Sequence, residues 1–157
     1  MARQVHEGKF NLYWATAVAN KNAPTVAEIT AAVALTNFVT KDGFSPSING
    51  NNVDSATIAE TFDATVVGSW GADVEVTMFR DNTADTAWNL CINGTNGYLI
   101  VDRFRASGVL PSVSNKVEVW PAQMHQPAPS NTASNEMLKF TEKFAITSQP
   151  NLSATVA

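Results

Sequence analysis

The chain has 157 residues and a mass of 16.8 kDa, the size of one ordinary domain that buries its own core without a metal or disulfide staple. Hydrophobic residues make up 45% and charged residues only 15%, so the surface is covered by small polar residues or by other copies of the chain. A formal charge of −4 with no run of Lys or Arg excludes a basic face for gripping nucleic acid or an anionic membrane, and the lone Cys91 excludes an intrachain disulfide and a multi-cysteine zinc site.

Met1 to Phe10 is polar, without the apolar core of a signal peptide, and no stretch of about 18 apolar residues follows. The expectation is a protein made and retained in a cytoplasm. Asn93-Gly94-Thr95 and Asn151-Leu152-Ser153 then match the glycosylation pattern by chance.

Period-two alternation dominates the chain. Phe10, Leu12, Trp14 and Val18 fall on one side of a first strand, with Asn11, Tyr13 and Ala15 on the other. Thr25-Val26-Ala27-Glu28 reads as a capping box that opens a short helical turn to about Ala32. A strand from Val33 to Thr40 ends at the turn signal Lys41-Asp42-Gly43. Residues 43–59 read as a long surface loop rich in Ser, Asn and Gly. Phe62 to Val67 and Ala72 to Arg80 read as two strands of a hairpin broken at Gly68-Ser69-Trp70-Gly71. In the second, Val74, Val76 and Met78 face one way and Asp73, Glu75 and Thr77 the other.

From Asn82 to Ile92 the period changes. Ala84, Ala87, Trp88 and Cys91 share one face of a helix that Asn82 caps and Gly94 ends, a face that must pack on a sheet because about ten residues do not hold a helix alone. Tyr98 to Phe104 is a strand covered on both faces, and Lys116 to Trp120 is a short strand stopped by Pro121. Residues 123–135 form a second loop. Met137 to Thr147 is a strand with Leu138, Phe140, Phe144 and Ile146 on one side and Lys139, Thr141, Lys143 and Thr147 on the other; 150–157 is a tail without pattern. The sum is a single all-β domain, a β-sandwich or barrel, with one short flanking α-helix.

No set of residues carries a reaction. His6 and His125, the two histidines, lie in an N-terminal arm at 1–8 and in a Pro-rich loop, and Cys91 is placed to pack as a small hydrophobe. Asp73 and Glu75 share a strand face as a glycosidase pair would, but adjacent acids of this kind form a solvated face. Asp81 to Asp85 starts like a calcium loop, yet Thr86 stands where the sharp turn needs glycine. Trp120 is the one tryptophan placed to stack on a sugar.

Four segments in this order are similar to the major tail tube protein of long-tailed bacteriophages: APTVAEITAAVALTNFVTKDGFSPS, Ala23 to Ser47; NNVDSATIAETFDATVVGS; VTMFRDNTADTAWNLCINGTNGYLIVDR; and NEMLKFTEKFAITSQPNLSATVA at the end. The resemblance covers the chain from about Lys9 onward. It implies a β-sandwich with a flanking helix that forms six-membered rings, stacked into a tube through which the phage genome leaves. It also implies a virion protein assembled in the host cytoplasm, without cofactor, metal or catalytic residues and without a membrane. The partners it implies are further copies of the chain, a tape measure protein, a tail terminator, and duplex DNA that passes without specific binding. Under that resemblance Asp73, Glu75 and Thr77 are expected to line the lumen, with Lys139, Thr141 and Lys143 as a rival polar face. The loops at 43–59 and 123–135, the arm and the tail are expected to order as rings stack. The competing readings are another ring-forming tail protein, a connector or terminator; a carbohydrate-binding β-sandwich module; and, more remotely, a hydrolase.

Overall fold

The computed structural model describes residues 7–130 and 133–157. His6 and most of the expected N-terminal arm lie outside the described residues. Among the described residues nine strands and two short helices follow in the order β1 (Asn11–Ala15), α1 (Val26–Ala31), β2 (Val33–Ala34), β3 (Val39–Asp54), β4 (Thr65–Phe79), α2 (Thr86–Leu90), β5 (Asn96–Asp102), β6 (Lys116–Met124), β7 (Ala128–Pro129), β8 (Lys139–Ile146) and β9 (Asn151–Thr155). The strands form one antiparallel sheet in the order β2-β1-β5-β6-β8-β4-β3, with β7 added to β8 and β9 to β6.

The sheet doubles over at β6. One edge of β6 pairs with β5; the other is divided, its first half bonded to β9 and its second to β8. Doubling brings Leu12, Trp14, Leu99 and Trp120 of one layer against Val74, Val76, Met78, Phe140 and Phe144 of the other. On the far side of β1, β5 and β6, Tyr13, Ile100 and Val119 pack under α1 and β9 through Ile29 and Ala154. β5 is therefore buried on both faces, as its near-continuous apolar run predicts.

α1 forms where the capping box places it. Thr25 Oγ1 accepts from the Glu28 amide at 3.2 Å, and the Glu28 carboxylate accepts from the Thr25 amide at 2.7 Å and, through its other oxygen, from the Ala19 amide at 2.7 Å. These amides, Ala19 first, hold the Glu28 carboxyl below its usual range. One side chain thus fixes both the helix start and the turn before it.

Several sequence expectations are corrected. The loop expected at 43–59 is mostly strand, because β3 runs through to Asp54 and pairs with β4 along its length. Pro46 is compatible with this because β3 is a sheet edge, where a missing N–H breaks no ladder on the outer side. The turn expected at Lys41-Asp42-Gly43 is an irregularity inside β3, where a Cβ on Gly43 would strike the Thr77 carbonyl. The break expected at Gly68 to Gly71 is absent: β4 passes through it, with a register shift opposite Gly50 to Asn52 absorbing an extra residue. The hairpin is thus β3 with β4, and its turn lies between Asp54 and Thr65. The tail at 150–157 is also corrected, since β9 pairs with β6 and buries Ala154 and Val156. Of the loop at 123–135, Gln123 and Met124 belong to β6 and Ala128–Pro129 to β7, while residues 131–132 lie outside the described residues.

Candidate functional site

The doubled sheet leaves β4 and β8 with one face in the core and one outside. Along β4 the predicted alternation holds: Val74, Val76 and Met78 are buried, Asp73 and Glu75 are exposed, and Thr77 is half-buried on the outer side. Register decides what stands beside them. Glu75 lies opposite Lys143 on β8 and Ser45 on β3, Thr77 lies opposite Thr141, and Asp73 lies opposite Ser47. Lys143 Nζ is 3.6 Å from Glu75 Oε2, and the Thr77 and Thr141 hydroxyls are 3.3 Å apart. Asp73/Glu75/Thr77 and Lys139/Thr141/Lys143, which the sequence offers as rivals, are therefore one continuous face. Its two acids and two lysines balance, and its remaining groups are hydroxyls.

That face has no reactive constellation. His125, Asp73, Glu75 and Lys143 border one shallow depression with Ser45 and Ser47, and among the described residues no three His, Cys, Asp or Glu side chains are placed to hold a metal ion. An exposed ion pair beside hydroxyls offers solvated charge and hydrogen bonding, and no group there stands against a base that would activate it.

The helix-docking residues separate. Ala87 and Cys91 are buried in the main core, and Trp88 lies edge-on to Phe140 at 5.1 Å with the Arg80 guanidinium 4.1 Å above its ring. Ala84 is exposed and does not belong to the docking face, because the helix begins only at Thr86. Its N-cap is Asp85, in the left-handed region at φ 45°, rather than Asn82. The Asp85 carboxylate makes no cap bond; Arg80 clamps it and, above all other contacts, holds its pKa below the usual carboxylate range.

Sequence reasoning missed Glu142. It sits on the inward side of β8 between Phe140 and Phe144, is fully buried, and is opposite Val76 on β4. Neither carboxyl oxygen has a partner in hydrogen-bonding geometry among the described residues, nor does the Trp14 indole nitrogen in the same core. Burial pushes the Glu142 pKa up to about 7, against a smaller downward pull from the His125 amide and the nearby Cys91 thiol. Burial first, and the Glu142 charge second, push Cys91 up to about 12, so the thiol is inert. The signal was present: in the alternating run Leu138, Phe140, Phe144, Ile146, the skipped inward position is a glutamate.

Trp120 is also corrected. It is 2% exposed, within the main core, and its indole nitrogen donates to Glu118 at 3.2 Å. A buried ring offers no sugar-stacking surface.

The described residues thus form an all-β body with small docked helices and one balanced polar face. A family model for phage tail tube proteins matches residues 1–157, the whole chain. The chain belongs to the phage tail tube protein family. No curated protein matches it. Membership makes this tail tube protein a structural protein of the phage tail.

Proposed function

We propose that this tail tube protein assembles as six-membered rings that stack into the tube of a long-tailed phage, with the β4–β8 polar face lining the channel for the genome. The observation that carries the reading is the β3–β4 arm. On the Thr65 side of Asp73, where β4 no longer pairs with β8, β3 and β4 pair only with each other, and Ile48, Val53, Val66, Val67 and Trp70 are exposed. A two-stranded hairpin is marginal in water by itself. An arm of this length with apolar side chains on it is built to be covered by other copies.

The lumen face follows from charge. Duplex DNA must slide, so the wall must neither grip phosphate nor present a steep field. Glu75 paired with Lys143, flanked by Thr77, Thr141 and serines, meets that need by local neutralisation. The whole subunit stays acidic at −4, and a ring of six, at about −24, repels DNA at longer range. On this reading the chain assembles in the host cytoplasm, around a tape measure protein, and a tail terminator stops its growth.

Hydrogen exchange tests it. Backbone amides of the arm, residues 48–70, should exchange freely in dispersed protein and become protected by at least tenfold on assembly. Equal protection in both states contradicts the reading.

A further inference from the structure

We propose that the 103–115 connection between β5 and β6 is a preformed docking surface for a second copy of this chain, and that it receives that copy's β3–β4 arm. The inference rests on the self-assembly reading above and names the partner surface within it.

Connections between strands ordinarily turn polar groups outward; this one keeps Ser107, Ser112 and Ser114 outside but is held by polar groups turned inward. Asp102 is fully buried and accepts from Arg105 Nη1 at 2.8 Å and from the Phe104 amide at 2.9 Å. Asn11, also fully buried, donates to the Ala106 carbonyl at 3.1 Å and accepts from the Gly108 amide at 2.6 Å. Asn115 Oδ1 accepts from Arg105 Nε at 3.0 Å and from the Ser112 amide at 2.7 Å. These bonds pin the connection from inside. Phe104, Val109, Leu110 and Val113 are left pointing out, each between 45% and 62% exposed.

A connection fixed by buried polar groups holds its shape before any partner arrives, so binding it has little ordering cost. Its apolar display is the kind that marks an interface. The one charge from Phe104 to Ser114 is Arg105, already paired inward with Asp102. Copies at −4 repel each other, and contact between them is cheapest where neither side is charged. The arm offers such a side: no charged residue occurs from Ile48 to Val53 or from Thr65 to Ala72.

The chain's own arm does not fill this role. Phe44, at the arm's root, packs on Phe10 with ring centroids 5.3 Å apart and lies 5.1 Å under the Arg103 guanidinium, where the connection begins. Ser107 and Gly108 are tied to Gly8 and Asn11 beside Phe10. From Phe44 the strand rises roughly 33 Å to Asp54, away from its own connection. Two different uncharged patches facing apart join head to tail, and such a contact propagates from copy to copy.

Mixed cross-linking tests this. Val67→Cys and Val113→Cys are purified separately, mixed under assembly conditions and mildly oxidised; buried, inert Cys91 stays silent. A mixed dimer at least tenfold more abundant than either self-linked dimer supports the docking. No mixed dimer, or equal self-linking, overturns it. Independently, Leu110→Asp with Val113→Asp should leave the circular dichroism melt unchanged and abolish assembly; assembly at the native level overturns the docking. The two readings fail separately. Tubes from the native chain without the mixed link sink the docking surface alone; the mixed link in particles that never exceed dimers or closed rings supports the docking and sinks the tube.

Discussion

A carboxyl between two phenylalanines in the core is the least expected residue of this molecule, and it makes stability depend on pH. Below about pH 4.5, Glu142 is protonated whether the chain is folded or unfolded. Between 4.5 and about 7 the unfolded chain has lost that proton while the folded chain keeps it. Stability contributed at this site therefore falls as pH rises through that window and is level above it. A gap of this width is worth on the order of 3 kcal/mol. Glu142→Gln removes the titration. Thermal melts should show the variant gaining on the native chain from about pH 5 to about pH 8, with no further gain above. An offset that is the same at every pH would show that Glu142 ionises freely in the fold.

At the scale of elements, α2 and β4 show what could be read from the chain and what could not. The period change around Ala87, Trp88 and Cys91 correctly placed a docked helix, because core contacts impose that spacing. Its start was misplaced: Asn82 has the chemistry of a cap, yet Arg80 holds Asp85 in a left-handed turn and delays the helix to Thr86. Trp88→Ala should cost about 2 kcal/mol, less than a fully buried tryptophan would, and Ala84→Glu under about 0.5 kcal/mol, by denaturant unfolding. Equal losses would mean that the helix extends further than Thr86.

The alternation that placed Asp73, Glu75 and Thr77 outside was legible in the same way. That Lys143 and Thr141 share their face was not, since pairing across strands is absent from a one-dimensional pattern. The arm was misread because Gly, Asn, Ser and Pro are loop residues in most settings; here partners on β4 and a free outer edge let them run as strand. Asp73→Lys with Glu75→Lys places two new cations beside Lys143 and converts the balanced face to a basic one. Tubes should still form, since the face points away from the core, while genome delivery by phage carrying the change should fall by at least tenfold. Native delivery from intact tubes would remove this face from the channel.

For the whole molecule, low charge, an uncovered arm and a sealed core belong together. The core is sealed within one copy: Trp14, Trp120, Phe140 and Phe144 are all but inaccessible. Most of the large exposed apolar residues lie on the arm and the 103–115 connection, with Ile92, Met137, Leu138 and Leu152 elsewhere, and the proposed contacts between copies would cover the first two groups. Family membership establishes a tail tube protein. Ring and tube geometry are what the purified chain must display. The direct measurement is electron microscopy of that protein across a range of concentrations, with rotational averaging of end views. Long hollow tubes with sixfold end views are the expected result. A monomer that persists at high concentration and salt, or closed rings that never stack, would contradict it.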